Sequence, residues 1–460
     1  MSTLTSEKIY GRYKPQPGDE AEDVVFNSLY GLRSIELNRP KKLNALNGSM
    51  MRKITSRLLE WSKSDMANVI VMKGAGDRAF CAGGDVAALA QWNTQARTGR
   101  SVEYFADEYR LDHLIATYNK PYIAFMDGIT MGGGAGLSMH APLRIATERT
   151  VFAMPETTIG LFPDVGGSFF LPRLPGSVGT YLALTSERLM GVNAFYSGVA
   201  THYLHSTSLP SLESRLAELR FQDSENLKTR LVTINRTIEE FCTGLPHNEP
   251  MHIAGDVRRA IDRCFVHDNV EDIITTLREE EGPTKEWAEK TLETLHQRSP
   301  TSVHVTLRQM RLGRDWTISE TFRRELNMAR IFMEGHDFTE GVTARLIEKP
   351  PRAPRWKPES LEQIYPEDEI TDAYFATPEE AKPMELLTKE DYTEYPHAWL
   401  GLPTEQEVRE LVAGEEYTRE HVLQYFIHLR EGKQGVREIV DEILSRRTAL
   451  HMGKVSWQDN

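Results

Sequence analysis

The amino-acid sequence predicts an α/β fold that is followed by a helical C-terminal region. Between residues 24 and 208, short runs of β-branched and apolar residues alternate with glycine-rich loops and amphipathic segments. This order of strand, loop and helix is typical of an α/β core. From about residue 209 to 348 the pattern changes to amphipathic helices with long charged faces.

Individual elements follow from the same patterns. Short apolar runs bounded by turn residues predict strands at 24–28, 32–37, 69–73, 122–126, 143–146 and around Phe152. Apolar residues at helical spacing predict helices from Asn47 or Ser49, over Ser101–Tyr118, Ala135–His140, Ile273–Glu281, Lys285–Gln297 and Ile318–Met333. The segment Phe80–Asp85 is predicted to be a tight loop whose last residue caps the next helix.

Changes of composition divide the chain into five parts. A polar segment covers 1–23, the core 24–208, the helical region 209–348, a proline-rich linker 349–375 and an acidic helical extension 376–460. In the extension, which has 17 acidic and 10 basic residues, Thr418 is predicted to cap a helix that carries Val422, Phe426 and Leu429. A second apolar stripe comprises Val436, Ile439, Val440, Ile443 and Leu444, so we expect the extension to be folded.

Composition limits the classes of function. The 460 residues are 40% hydrophobic and carry a net charge of −13, which argues against a broad nucleic-acid surface and against DNA as a partner. Cys81, Cys242 and Cys264 form no CxxC pair and no metal-binding spacing, which favours a reducing compartment without structural zinc. No apolar run approaches the roughly 20 residues that a membrane helix needs.

Two carboxylates mark the segment Met154–Arg173. Glu156 and Asp164 lie eight residues apart among apolar neighbours, prolines and a glycine pair. A carboxylate in an apolar wall is costly unless it has a partner or a chemical task. The segment therefore indicates either hydrogen-bonded structural acids or an active-site wall with acid/base chemistry.

Two glycine-rich loops precede these carboxylates. The first contains Ala82, Gly83 and Gly84, and the second, Gly132–Gly134, opens a helix. Without a Cβ the backbone N–H groups can point into a cavity, and two such donors aimed at one point form an oxyanion hole. The alternative is that the glycines only permit tight turns. Neither loop matches a P-loop, a dinucleotide fingerprint or a GxSxG elbow.

Several motifs occur in a fixed order along the chain. They are Asn38–Pro40 with Leu43–Leu46, Ala79–Asp85, Gly128–Gly134, Met154–Gly167, Ser299–Ser302, Asp337–Val342 and Arg345–Lys349. In this order they resemble the crotonase (enoyl-CoA hydratase/isomerase) superfamily over roughly residues 24–375, and within it the 3-hydroxyisobutyryl-CoA hydrolases. The resemblance implies a core of repeated ββα turns and a helical C-terminal region.

Two positions distinguish the subfamilies. A hydratase that resembles this chain carries a catalytic glutamate where this sequence has Gly136. The hydrolase pattern instead keeps Glu156 and adds Asp164, where hydratases commonly have glycine. The resemblance is therefore to a hydrolase, and a hydratase or isomerase is the weaker alternative.

The resemblance also implies roles for individual residues. Glu108 matches a substrate-binding glutamate, Gly133 an oxyanion-hole residue that also contacts substrate, and Glu156 and Asp164 the acyl-binding and catalytic acids. Either Ala82 or Gly83 is expected to supply the second oxyanion donor. By residue type alone, Glu108 on a helix face would instead be interpreted as a solvated charge.

A basic loop is the candidate for the CoA phosphates. Arg39, Lys41 and Lys42 could contact these anionic groups, or could be solvated.

The implied reaction is hydrolysis of 3-hydroxyisobutyryl-CoA in valine catabolism, without a metal or a redox cofactor. Glu156 either activates water or attacks the thioester directly. A second class of function also follows from resemblance, because hydrolase-like proteins occur in the small subunit of fungal mitochondrial ribosomes. The acidic extension, 376–460, suits protein partners in that subunit better than RNA. A mitochondrial location comes from resemblance alone, since the acidic N-terminus is unlike a transit peptide.

Overall fold

The computed structural model describes residues 11–364, 367–376, 383–414 and 416–458. The first ten residues of the predicted polar segment and small parts of the predicted linker and extension lie outside these ranges. The strands are β1 (Val24–Leu29), β2 (Leu32–Leu37), β3 (Val69–Gly74), β4 (Ala79–Cys81), β5 (Tyr122–Met126), β6 (Ile129–Met131), β7 (Leu143–Ala146), β8 (Val151–Ala153), β9 (Leu189–Met190), β10 (His202–Tyr203), β11 (Thr448–His451) and β12 (Lys454–Trp457).

Helices fill most of the remaining chain. In the core they are α1 (Gly48–Trp61), α2 (Val86–Thr94), α3 (Thr98–Ala116), α4 (Gly133–Met139), α5 (Gly167–Phe170), α6 (Val178–Thr185) and α7 (Val192–Tyr196). Beyond the core they are α8 (Leu209–Ala217), α9 (Leu227–Glu239), α10 (Gly255–Cys264), α11 (Val270–Glu279), α12 (Lys285–His296), α13 (Pro300–Leu312), α14 (Ile318–Glu334), α15 (His336–Val342), α16 (Glu367–Phe375), α17 (Glu405–Gly414), α18 (Arg419–Leu429) and α19 (Val436–Arg447).

Two stacked sheets organise the core. One sheet has the order β1-β2-β3-β5-β7-β10, and its strands are parallel except for the antiparallel pair β1 and β2. The other has the order β4-β6-β8-β9, in which β9 is antiparallel. Successive strand pairs β3–β4, β5–β6 and β7–β8 each contribute one strand to each sheet, which is the repeated ββα turn that the sequence predicted.

Alternation along the strands builds two apolar layers. In β3, Ile70 and Met72 enter the main core beneath the helices α1, α3 and α14, whereas Val69 and Val71 point to the opposite face. Helices α8 and α9 cover that opposite face with buried leucines and isoleucines. Both faces of the larger sheet are therefore covered, as in other parallel sheets.

The predicted elements are largely confirmed, with some corrections. Asn47 caps α1 by accepting from the N–H of Met50. Asp85 takes the N-cap position of α2, but its side chain makes no capping hydrogen bond. Part of the predicted loop Phe80–Asp85 is strand β4 instead, because residues 79–81 pair with β6.

The segment after residue 404 forms a body that we call the appendage, comprising α17, α18, α19, β11 and β12. It has its own apolar core, which includes all five residues of the predicted stripe from Val436 to Leu444. Thr418 caps α18 as predicted. Leu429 departs from the prediction, because 47% of it is exposed.

A buried lysine joins the appendage to the core. The Nζ of Lys433 lies 2.9 Å from Oε1 of Glu239 and 2.8 Å from Nε2 of His202, and its side chain is 3% exposed. The neighbouring Gln434 donates from Nε2 to the carbonyl of Tyr203 in β10 at 3.0 Å. The loop between α18 and α19 therefore covers the outer edge of the larger sheet.

A second junction is made by arginines. Arg446 of α19 is 1% exposed at its side chain and pairs with Glu405 at 2.7 Å and Glu442 at 2.9 Å. Arg258 and Asp262 of α10 join the same network. The appendage is thus fixed to the core at two separate places.

Candidate functional site

The two glycine loops meet at one point. A Cβ built on Gly83 would lie 3.9 Å from the backbone nitrogen of Gly133. Within the described residues, the N–H groups of Gly83 and Gly133 donate no hydrogen bond. The N–H of Ala82, by contrast, donates to the carbonyl of Leu43 at 3.0 Å. Of the two candidates on the first loop the geometry therefore favours Gly83, and Ala82 is corrected to a structural residue.

Glu156 lies beside this point. It begins a short 3-10 turn, Glu156–Ile159, that follows strand β8, and it is 4% exposed. Its Oε1 is 3.2 Å from the position of a Cβ on Gly132, and its Oε2 has no hydrogen-bond partner among the described residues. The carboxyl is thus buried and lies next to the second glycine loop.

Glu108 approaches the same loop from helix α3. A Cβ on Gly133 would collide with Oε1 of Glu108, so glycine is required there for the helix and the loop to pack. Glu108 is 2% exposed, and its Oε1 has no hydrogen-bond partner in the described chain. The alternative of a solvated charge is therefore wrong.

Asp164 is held by a tyrosine. The hydroxyl of Tyr109 donates to Oδ2 of Asp164 at 2.8 Å, and both residues are buried. Tyr109 follows Glu108 on α3, so one helix both supplies an acid and orients another.

A further acid lies behind the second glycine loop. Asp112, one turn after Glu108, is fully buried, and neither of its oxygens has a partner among the described residues. Its Oδ2 lies 2.7 Å from the position of a Cβ on Gly136, and Cβ of Val165 lies 2.8 Å from it. There is no space for a side chain at position 136.

A substitution tests this packing. Gly136→Ala should lower the free energy of unfolding by about 1–3 kcal/mol, because the added methyl overlaps Asp112 and the stiff side chain of Val165. Urea denaturation followed by circular dichroism measures the change. Gly99→Ala is the control, because nothing lies within 4 Å of a Cβ there and its φ is not positive. A Gly136→Ala protein as stable as the control would show that the helix moves to make room.

The sequence profile described as enoyl-CoA hydratase/isomerase matches residues 32–375. The chain belongs to this family. A small ribosomal subunit protein mS47 of Neurospora crassa is 58% identical over 100% of this chain and 92% of its own length. The mitochondrial 3-hydroxyisobutyryl-CoA hydrolase of Gallus gallus is 43% identical over 78% of this chain and 89% of its own. A solved carnitinyl-CoA dehydratase of Mycobacterium thermoresistibile is 32% identical, with a TM-score of 0.69, over 80% of this chain and 100% of that one.

Burial dominates the electrostatics of the site in this family member. It raises the pKa of Glu156 well above that of a free glutamate, and the charge of Asp164 raises it further. Burial also raises the pKa of Asp164 to about 7, although the hydrogen bond from Tyr109 lowers it. The charge of Asp164 therefore disfavours the ionised form of Glu156.

The neighbouring acids behave in the same way. Burial and then Asp164 raise the pKa of Glu108 well above its usual value. Burial, Glu108 and Asp164 do the same for Asp112. Five buried carboxyls, including Glu325 on α14, thus share one region of the described structure and ionise in sequence rather than together.

The three basic residues of the loop at 39–42 have different surroundings. The guanidinium of Arg39 is buried and donates to the carbonyl of Ala45 at 2.6 Å, and it lies within 3.4 Å of carboxylate oxygens of Glu20 and Asp85. The expectation that Arg39 contacts CoA phosphates is therefore corrected, because its charge is used inside the protein. Lys41 and Lys42 are exposed and remain candidates.

Sequence reasoning missed Tyr109, Asp112 and Glu325. Glu325 had a detectable signal, because it falls on the same apolar face of the predicted helix as Phe322, Ala329 and Phe332. Asp112 lies one turn after Glu108, and two like charges at that spacing destabilise an exposed helix face.

Two features are absent from the part of the chain that the structure describes. The described residues contain no helix both long and apolar enough to cross a bilayer. They also contain no group of three or more histidine, cysteine, aspartate or glutamate side chains suited to a metal ion.

Proposed function

We propose that the protein hydrolyses the thioester of 3-hydroxyisobutyryl-CoA, or of a similar short β-hydroxyacyl-CoA, to the free acid and CoA. One observation carries the proposal: Glu156 lies beside Gly132, where the two glycine loops meet, while position 136 has no room for a second catalytic glutamate. The proposed location is the mitochondrion, which the name of the chicken relative supports. The proposed setting is valine catabolism.

The reaction begins with the thioester carbonyl between the two glycine loops. The N–H groups of Gly83 and Gly133 donate to its oxygen and stabilise the negative charge that develops there. Removing one donor of this kind typically costs about 10²–10³ in kcat. The backbone therefore supplies the electrophilic part of the site.

Glu156 supplies the nucleophilic part by one of two routes. As a base, its carboxylate takes a proton from water, the water oxygen attacks the carbonyl carbon, and the tetrahedral intermediate expels CoA as a thiolate. As a nucleophile, its carboxylate expels the thiolate directly and forms an anhydride, which water then hydrolyses. In both routes the thiolate takes up a proton, and the net reaction consumes one water.

Asp164 and Glu108 contact the acyl group in this proposal. Asp164, oriented by Tyr109, accepts a hydrogen bond from the β-hydroxyl or assists proton transfer. Glu108, with one unpartnered buried oxygen, donates to substrate while it is protonated. Both interactions would select a short acyl chain with a hydroxyl group.

Release of free CoA from 3-hydroxyisobutyryl-CoA by the purified protein tests the proposal. The same preparation is offered crotonyl-CoA, whose hydration is the reaction of the alternative hydratase. Thiol release without crotonyl-CoA hydration is the expected result. Hydration without thiol release would contradict the proposed hydrolase.

The pH dependence gives a second test. Asp164→Asn should lower kcat by roughly 10²-fold and move the rising limb of log kcat/KM to lower pH. The sign follows because ionised Asp164 raises the pKa of Glu156, so its removal lets Glu156 lose its proton at a lower pH. Initial rates between pH 5 and pH 10 measure the limb. A limb that stays in place would mean that Glu156 is not the group being ionised.

A second candidate function is a structural component of the small subunit of the mitochondrial ribosome, with or without hydrolysis. The observation that favours it is the appendage, which lies beyond the family match ending at residue 375. The Neurospora crassa ribosomal relative aligns with the whole chain, whereas the chicken hydrolase aligns with 78% of it. The appendage is the proposed contact with protein neighbours.

Sedimentation separates the two roles. Mitochondrial lysate is run on a sucrose gradient, and the full chain is followed by antibody beside a marker of the small subunit. The gradient is run at about 0.5 M salt, which is several times the physiological ionic strength and screens contacts between surface charges. Cosedimentation that persists under this condition supports the structural role. A protein found only in the free fractions would exclude that role.

A further inference from the structure

The loop that carries Asp164 has an unfavourable backbone. Val165 has a φ of +53° and Gly166 a φ of +86°. A β-branched residue in the left-handed region costs on the order of 1–3 kcal/mol and persists only where the surroundings impose it. Something outside the loop must therefore hold residues 163–168 in place.

Glu325 makes two hydrogen bonds that hold this loop. Its Oε2 accepts from the N–H of Gly166 at 2.7 Å, and its Oε1 accepts from the N–H of Ser168 at 2.9 Å. Both oxygens are thus used, and the carboxyl bridges the two amides on either side of Gly167. Glu325 is 0% exposed and comes from α14.

Other side chains hold the same loop at its ends. Nε2 of Gln309 donates to the carbonyl of Pro163 at 2.6 Å and to the hydroxyl of Ser168 at 2.7 Å. A ring nitrogen of His140 lies 2.8 Å from the carbonyl of Val165 and donates to it. None of these groups bridges the two amides that follow Val165, so Glu325 has a separate task.

We propose that Glu325 is a positioning residue that fixes Asp164 at the acyl end of the site by bridging the amides of Gly166 and Ser168. The catalytic part of this inference rests on the proposed thioester hydrolysis. Glu325 itself touches no substrate, and it acts through the backbone directly after Asp164. The helical region that follows the core thereby determines the shape of the active-site wall.

Glu325→Gln tests the proposal in the intact protein. Glutamine fills nearly the same volume but offers one acceptor oxygen, so its NH₂ group faces one of the two N–H donors. We expect deuterium exchange in the peptide that covers 164–170 to rise at least tenfold. We also expect kcat to fall about 10–10²-fold with KM changed by less than about threefold, because a small misplacement of a reacting group weakens the transition state more than binding.

Glu320→Gln on the outer face of the same helix is the matched control, because that side chain is partly exposed and pairs with Arg324. It should change neither exchange nor kcat. Exchange at 164–170 that stays at the parent level in Glu325→Gln overturns the proposal, and so does an unchanged kcat with a raised KM. If the parent hydrolyses no thioester, the hydrolase function fails, and exchange alone then decides whether Glu325 fixes the loop.

Discussion

Replacing Glu156 with glutamine should lower kcat for CoA release by roughly 10³-fold, because glutamine can neither take a proton from water nor attack the thioester. Oε2 of Glu156 has no hydrogen-bond partner among the described residues, so the variant breaks no contact seen there. The melting temperature should not fall. The raised pKa of Glu156 shows that burial disfavours its charged form, and the amide of glutamine is neutral and of nearly the same size. Thiol release under saturating substrate and a thermal scan give both quantities.

The matched control is Glu187→Gln, at an exposed position. It should retain the parent rate. Turnover in H₂¹⁸O followed by mass spectrometry of the Glu156 peptide separates the two routes, because only hydrolysis of an anhydride can place ¹⁸O in the Glu156 carboxyl. A Glu156→Gln protein that keeps more than about a tenth of the parent kcat would exclude both routes.

The second large effect is expected at the junction of the appendage. Lys433→Met should destabilise the docking of the appendage by about 1–3 kcal/mol, because it leaves the partly buried carboxylate of Glu239 without its cation. The pKa of Glu239 is strongly lowered by its contacts with His202 and Lys433, although burial opposes this. In the parent protein His202 does not serve as a second cation, since burial and then the charge of Lys433 lower its pKa to about 4.

Limited proteolysis and urea denaturation measure this docking. Lys454→Met is the control, because Lys454 pairs with Glu416 at the surface and such pairs contribute less than about 1 kcal/mol. In the double variant Lys433→Met with Glu239→Leu, much of the stability should return, since both charges are gone. An unchanged urea midpoint for Lys433→Met alone would mean that the arginine network holds the appendage without it.

Much of the fold could be predicted from the sequence, because its longer elements have strong local signals. The cap at Asn47 and the apolar spacing of α1 and α14 fix those helices before any tertiary contact is considered. Strands β4 and β6 have no such signal, since each has three residues beside glycines and is defined by its partner strand. Their pairing is decided by the stacking of the two sheets.

The candidate site also has residues that the sequence predicted and residues that it did not. The glycine loops, Glu156 and Asp164 were predicted because they lie in motifs that are continuous along the chain. Glu325 was missed because it reaches the site from a helix more than 150 residues away. Arg39 shows the opposite error. Its residue type indicated a contact with phosphate, whereas in the fold its guanidinium contacts a carbonyl and carboxylate oxygens of the protein itself.

The covered edge of the larger sheet has a consequence for the state of the free protein. An uncovered edge strand offers unpaired N–H and C=O groups that can pair with another chain. Because the loop at 433–434 lies across β10, release of the appendage would uncover that strand and also leave its own apolar core partly open. Cleavage of the chain between core and appendage would thus expose an edge strand through which two copies could pair. The junction at 433–434 therefore both attaches the appendage and protects the edge strand β10 from pairing with another chain.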